Sequence, residues 1–331
     1  MASFNLRKIY KMFDNENETK ISADALEQLQ QWQLIPREGQ YLCAQGHALR
    51  LLPSSAKLDG FIWRCHQKSA KGKRKARTCS VQISIRKNTF FYRSKLPMVK
   101  LIAFSYLWIK NVPQDFITEE LSISLRTAIE WSNCCREVVY TGMNRIGYQI
   151  GGAGSVVEIG ESEFGRRKYD SGRGVEGQWV FGGVERGTNR CFLVPVEQRD
   201  KETLLAVIKR WILPHTTIVS DFWKEYHCLR DEGYVHLKQN HSINFKNPQT
   251  QEHTNTIEEL WRHAKLSMPQ HHRNKKVLSE HLAKFLFTRH CKLADLDALN
   301  VFFEMAGLSY NPLSPYLDIR EDDIKEELKE E

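Results

Sequence analysis

Residues 156–221 read VVEIGESEFGRRKYDSGRGVEGQWVFGGVERGTNRCFLVPVEQRDKETLLAVIKRWILPHTTIVSD, and their patterning decides the fold. Residues 156–160 are a short apolar run. Two more runs, 179–185 and 191–196, flank the turn Arg186-Gly187-Thr188-Asn189. Runs of this length bounded by turn residues predict strands, the last two as a hairpin. Residues 200–212 place apolar side chains at 204, 205, 207, 208 and 212, the stripe of an amphipathic helix. Residues 216–220 are rich in β-branched side chains and end on Asp221, which predicts a further strand. Beyond it, 222–230 reads as helix, 234–237 as strand, and 256–267 and 277–290 as helices. The order βββαβαβα, followed by one more helix, predicts an α/β domain over 156–292, a mixed sheet flanked by helices.

Upstream, residues 146–155 (IGYQIGGAGS) are glycine-rich and read as a linker. The segment 96–145 is helical: an apolar helix over 99–111 broken by Pro113, a short helix over 114–121, a tight turn at 122–124 and a longer helix over 125–140. In the last, Leu125, Ala128, Ile129, Ser132, Cys135 and Val139 share one predicted buried face. This predicts a helix-turn-helix-like domain offering Arg126, Thr127, Glu130 and Asn133 to a DNA groove. A plain helical bundle joining two domains has the same pattern.

Residues 37–95 are different in kind. Cys43-x3-His47, Cys65 and Cys79 supply three thiols and an imidazole, the donor set of a closed tetrahedral Zn²⁺ site. The short apolar runs 61–63 and 81–83 around Cys65 and Cys79 fit a zinc-ribbon-like module, whose core is too small to fold without its metal. Buried, unligated cysteines are the alternative. Between Cys65 and Cys79 lie Lys68, Lys71, Lys73, Arg74, Lys75 and Arg77, a run suited to phosphate contact or nuclear import. A nuclear location is therefore expected. Residues 1–36 form an N-terminal helical segment with Ile21, Ala25, Leu26 and Leu29 at helical spacing, closed by Pro36; residues 293–331 hold a short apolar helix at 301–308 and an acidic tail.

The 331 residues are 41% hydrophobic and 27% charged, a globular composition that excludes wholesale disorder. No apolar run approaches the roughly 18–20 residues of a membrane helix. The first residues lack the apolar core of a secretion signal. Eight cysteines in so long a chain do not make a disulfide scaffold. Net charge is +8, but the last eleven residues hold seven acids and two lysines, and the remainder carries 46 basic against 33 acidic residues. So basic a body points to a polyanionic partner, most simply nucleic acid.

Asp221 ends an apolar strand, where carboxylates project from the carboxyl edge of α/β sheets and hold ligands. Glu258 opens a helix after His253-Thr254-Asn255-Thr256 and is placed to meet Asp221 across that edge. Carboxylates so grouped bind a pair of Mg²⁺ ions about 3.5–4 Å apart, the machinery of phosphodiester cleavage and strand transfer. Taken singly, each acid is equally a turn residue or a helix-dipole partner.

Several long stretches carry a resemblance. Residues 156–187, 212–226 (ILPHTTIVSDFWKEY), 239–245 (QNHSINF) and 252–265 (EHTNTIEELWRHAK) resemble the Merlin superfamily of DDE transposases, itself similar to bacterial insertion-sequence transposases. The resemblance extends to LDGFIWRC and SIRKNTFF in the cysteine segment. It implies an RNase H-like catalytic domain with an Asp-Asp-Glu triad, two divalent metals (Mg²⁺ or Mn²⁺) and cut-and-paste transposition. The partner it implies is double-stranded DNA, as terminal inverted repeats or a derived genomic site, bound by a homo-oligomer. Asp221 matches the second acid and Glu258 the third. The first does not match: where the family reads Val-Glu-Ile-Asp-Glu, this chain has Val157-Glu158-Ile159-Gly160-Glu161. An active enzyme would need Glu161, re-aimed by a bulge at Gly160, or Glu158, roughly 6.6 Å away on the same strand face, as its first ligand. Otherwise the chain is a DNA-binding derivative with impaired cleavage, or a zinc-ribbon chromatin factor. Arg166, Arg167, Lys168 and Lys265 are expected to add backbone contacts to DNA.

Overall fold

The computed structural model describes residues 3–13, 20–67, 79–165, 177–221, 224–239, 254–268 and 275–313. The chain divides into two compact units, 1–138 with 297–331, and 139–296.

In the first unit, helix α1 (Leu6–Met12) starts at Asn5 and α2 (Ala23–Gln31) at Ser22, whose side chains accept the backbone N–H of Lys8 at 2.8 Å and Ala25 at 3.0 Å. These caps satisfy donors that a helix start otherwise leaves open. Strands β1 (Arg50–Pro53), β2 (Phe61–Arg64) and β3 (Gln82–Ser84) form an antiparallel sheet in that order. Behind it Arg86, itself buried, donates Nε to Asp59 Oδ2 at 2.7 Å and Nη1 to the carbonyls of Ser94 and Leu96 at 2.9 and 2.8 Å. The pair is buried but its hydrogen bonds are made, the condition under which an internal ion pair is tolerated.

Helix α3 (Met98–Ile109) is buried on almost every side, as its uninterrupted apolar sequence requires. Helix α4 (Gln114–Glu120) and helix α5 (Leu125–Ile146) follow, joined through Ser122 at φ 48°. The buried stripe of α5 is Ala128, Trp131, Ser132, Cys135, Val138 and Val139. Leu125 and Ile129, expected on it, are 59% and 46% exposed. Each residue turns the helix by about 100°, so a stripe centred between 128 and 135 swings 129 outward and leaves 125 at its margin. The C-terminal helix Ala298–Ser309 completes the unit, with Phe303 stacked on Trp32 at 4.6 Å and Asn300 accepting the Trp32 indole N–H at 2.9 Å. Here Gly307 crosses the α2 end so closely that a Cβ would lie 2.0 Å from the Trp32 carbonyl oxygen.

In the second unit the glycine-rich stretch is more than a linker. Strand β4 (Ile150–Gly151) pairs in parallel with β8 (Ile212–Leu213), and the Gly152 N–H reaches Thr216 Oγ1 at 2.8 Å. Strands β5 (Val156–Phe164), β6 (Gln178–Glu185) and β7 (Cys191–Val196) form an antiparallel meander. Helix α6 (Lys201–Trp211), capped by Asp200, then returns the chain to β9 (Thr217–Asp221), parallel to β5. The expected helix over 222–230 is a 3₁₀ helix (Lys224–Arg230), and it leads to β10 (Val235–Gln239), parallel to β9. The sheet order is β10-β9-β5-β6-β7. Helices α7 (Asn255–Leu266) and α8 (Lys275–Leu293) cover one face through Ile257, Leu260, Trp261, Leu278 and Leu282. Helix α6 covers the other through Leu204 and Ile208. A mixed sheet with the two parallel strands added beside the first strand of the meander, and helices on both faces, is the RNase H-like arrangement.

Candidate functional site

Strand β5 alternates between the two cores. Val157 and Ile159 enter the α6 side, so Glu158, Gly160 and Phe164 face α7. The parallel register pairs Val157 with Ile218 and Glu158 with Val219. The pairing ends there; continued for two residues, the same register would set position 160 level with Asp221, the last residue of β9. A Cβ placed on Gly160 would meet Trp261 Nε1 at 3.8 Å and Ile257 Cγ1 at 3.9 Å. Those residues lie one turn apart on α7, and Glu258 sits beside them, exposed, in the first turn. Strand β5, its neighbour β9 and helix α7 carry positions 160, 221 and 258 respectively. The backbone of Asp221 is described; its side chain lies outside the described residues.

Nothing in the backbone or packing calls for glycine at 160. The residue is in ordinary strand conformation, and the contacts its Cβ would make are at normal van der Waals distance. Its cross-strand partner differs: at Gly182 a Cβ would lie 2.7 Å from Trp261 Cη2 and from Leu193 Cδ2.

Glu158 is fully buried and has a different task. Its Oε1 accepts Arg186 Nε at 2.7 Å and Thr256 Oγ1 at 2.8 Å, and its Oε2 accepts the backbone N–H groups of Thr256 at 2.9 Å and Ile257 at 3.0 Å. Thr254, at the N-terminus of α7, makes no capping bond with its own side chain. A strand carboxylate caps the helix instead, answering its open N–H groups and dipole. Sequence reasoning missed this, because a cap from a distant strand leaves no local motif. Glu161 points to the other face, where Tyr226, a member of the α6-side core, donates its hydroxyl to the carboxylate.

The acids that the resemblance assigns to divalent metal are Asp221 and Glu258, and glycine stands where it places the third. A Mg²⁺ pair needs near-octahedral oxygen donors and a bridging carboxylate, and the residues present are one such ligand short.

The second candidate centre is complete. The ligand atoms of Cys43, His47, Cys65 and Cys79 all lie within 4.8 Å of one another. The Cys43–His47 loop is a tight knuckle, with Gly46 N–H on the Cys43 carbonyl and Cys43 N–H on the His47 carbonyl, both at 2.8 Å, and Gly46 at φ 77°. Cys65 and Cys79 are set by backbone bonds to Val81 at 3.0 Å and Gln67 at 2.9 Å. Three thiols and an imidazole at these separations fit a zinc module.

Of the residues expected to meet DNA, Arg126 and Asn133 are exposed on α5, Arg126 pairing with Glu130 at 3.0 Å and Asn133 accepting from Arg136. Lys265 is exposed, its ammonium 5.3 Å from the Phe164 ring centre. Arg166, Arg167 and Lys168, like the basic run 68–77, lie outside the described residues. No helix among the described residues is long and apolar enough to cross a membrane.

Comparison with known proteins bears on residues 151–289, which match the family model of the ISXO2-like transposase domain. This supports kinship of that domain with DDE transposases. No curated protein matches. Among solved structures, the simian T-cell lymphotropic virus intasome in complex with the PP2A regulatory subunit B56 gamma aligns at 13% identity and TM-score 0.29, over 54% of this chain and 66% of that one, just under two thirds of its length. The catalytic core of BIV integrase aligns at 13% identity and TM-score 0.23, over 53% of this chain and 97% of that one. The Drosophila P element transposase strand transfer complex aligns at 13% identity and TM-score 0.23, over 71% and 73%. At these scores the structures add no argument to the family match.

Proposed function

We propose that this chain is a DNA-binding protein derived from a Merlin-like DDE transposase, retaining the RNase H-like domain but impaired in strand cleavage. The observation that carries the reading is position 160. It lies two residues past the last β5–β9 pair, on the strand beside the one that ends at Asp221, and against the helix of Glu258, and it holds a glycine that nothing around it requires. A fold that demanded glycine there would point elsewhere. A carboxylate position lost while its surroundings stay intact points to lost metal binding.

The rest follows from the same reading. Asp221 and Glu258 are the remaining catalytic acids, and Mg²⁺ or Mn²⁺ is the metal they would hold. Glu158 is a poor first ligand, since four donors already engage its oxygens. Glu161 is a poor one because it faces the opposite core. Structural Zn²⁺ sits at Cys43, His47, Cys65 and Cys79. Double-stranded DNA is bound through the zinc module and the exposed face of α5, with Arg126 and Asn133 as base-reading candidates and Lys265 with Arg166, Arg167 and Lys168 on phosphate. The protein acts in the nucleus as a homo-oligomer.

The test is a metal-dependent nicking assay of the chain beside its Gly160→Asp variant. The native chain is expected to cleave slowly or not at all in Mg²⁺ or Mn²⁺, and the variant faster by orders of magnitude. Robust cleavage by the native chain, abolished by Asp221→Ala, would refute the proposal.

A further inference from the structure

The sheet of the zinc module carries a row of side chains that no interaction among the described residues explains. Arg50 on β1 stands directly opposite Arg64 on β2, and Arg64 directly opposite Gln82 on β3. Directly opposed residues share a face, so the three form one line across the sheet. All three are exposed. The next positions, Leu51, Trp63 and Ile83, pair in the same way and point to the other face, where Trp63 is fully buried. The direction of the row is therefore fixed by the core beneath it.

Two arginines opposed on neighbouring strands, with Cα atoms about 4.5–5.5 Å apart, repel one another. A fold with no use for them would place an acid in the row. Among the described residues neither guanidinium has an ion pair or a side-chain hydrogen bond. Glu38, the acid nearest in the hydrogen-bond pattern, spends its Oε1 on the backbone N–H of Leu51 at 3.3 Å. Asp59 is taken by Arg86 on the buried side. The row also adjoins the Cys₃His cluster: Arg50 follows the His47 knuckle by three residues, and Arg64 precedes Cys65. A metal there would hold both strand ends rigid under the two cations.

The geometry points to Arg50 and Arg64 as a phosphate clamp on the backbone of duplex DNA, with Gln82 as a neutral donor at its end. The inference rests on the DNA-binding reading above and specifies which surface of the zinc module makes the contact. Guanidiniums splayed from adjacent strands suit successive phosphates of one DNA strand. Their planar forks bind phosphate with two parallel bonds. Such contacts position the protein without reading sequence.

Salt dependence tests this. The full chain, loaded with zinc, is titrated onto a fluorescent duplex at several salt concentrations. Each phosphate contact contributes about 0.9 to the slope of log K against log salt. The double variant Arg50→Gln/Arg64→Gln should lose about 1.8 of that slope, and each single variant about half as much. Arg50→Lys/Arg64→Lys should keep most of it, because a point charge still releases counterions. Lys87→Gln, at the other end of the sheet, should leave it unchanged. A native chain that binds duplex DNA with the same slope as the double Gln variant overturns the clamp alone. A native chain that does not bind duplex DNA overturns the reading beneath it.

Discussion

Removing the Glu158 carboxylate should loosen the helix that carries Glu258. In Glu158→Ala the N–H groups of Thr256 and Ile257, the Thr256 hydroxyl and Arg186 Nε all lose their acceptor together. Arg186 is partly exposed and can turn to water; the buried Ile257 N–H at the start of α7 cannot. Breaking one partner of a buried charged network costs about 3–5 kcal/mol, a large share of the roughly 5–15 kcal/mol that holds a domain together. For a unit of this size each kcal/mol lowers the melting temperature by about 2–4 °C, so a fall on the order of 10–15 °C is expected. Glu158→Gln keeps an acceptor for the helix N–H groups but loses the ion pair, and should fall between the two. Calorimetry of the full chain gives the melting shift, and hydrogen exchange at residues 255–260 shows whether α7 frays first. An Ala variant that melts with the native chain and keeps its α7 protection would refute the capping argument.

Other consequences follow from single contacts. Gly307→Ala drives a methyl to within 2.0 Å of the Trp32 backbone carbonyl, which cannot turn aside as a flexible side chain could, and should destabilise by about 3 kcal/mol or more, read by chemical denaturation. Elemental analysis should find one zinc per molecule in the native chain and none in Cys65→Ser; unchanged zinc would count against the four-ligand site. Burial pushes the Tyr148 phenol, whose hydroxyl bonds the Cys191 carbonyl at 2.8 Å, up to about 12. Its neutral form is favoured in the fold, so its contribution is complete below the ordinary tyrosine value near 10 and is lost as pH rises through about 12. Ultraviolet titration should show a phase near pH 12 that Tyr148→Phe deletes.

Local patterning made much of the second unit legible. Runs such as 191–196, which recur as Cys191–Val196, have little choice, since an apolar stretch between turn residues must pair and bury. The amphipathic 200–212 stretch behaves the same way in α6. The Cys₃His donor set was visible because ligand chemistry is carried by residue type, while its convergence to within 4.8 Å depended on the knuckle at Gly46 and the β2–β3 pairing. The outward turn of Leu125 and Ile129 was not visible, because helical spacing gives the period of a stripe but not which neighbour it faces. The extent of β5 to Phe164 and the pairing of the supposed linker through β4 were set by partner strands supplied from elsewhere in the chain.

The same division runs through the site. By itself the sequence determined the inventory: an acid ending one strand at 221, an acid opening a helix at 258, and glycine where a resembling family holds its first carboxylate. Only the tertiary structure decided what these mean together. The β5–β9 register, continued past its last pair, points position 160 toward Asp221, the ordinary contact a Cβ there would make with Trp261 and Ile257 makes its glycine optional, and Glu158 is committed to holding α7 in place. Residue identity is a local property of the chain, whereas the neighbours that turn a carboxylate into a ligand or a cap come from sheet register and helix docking between segments far apart in sequence.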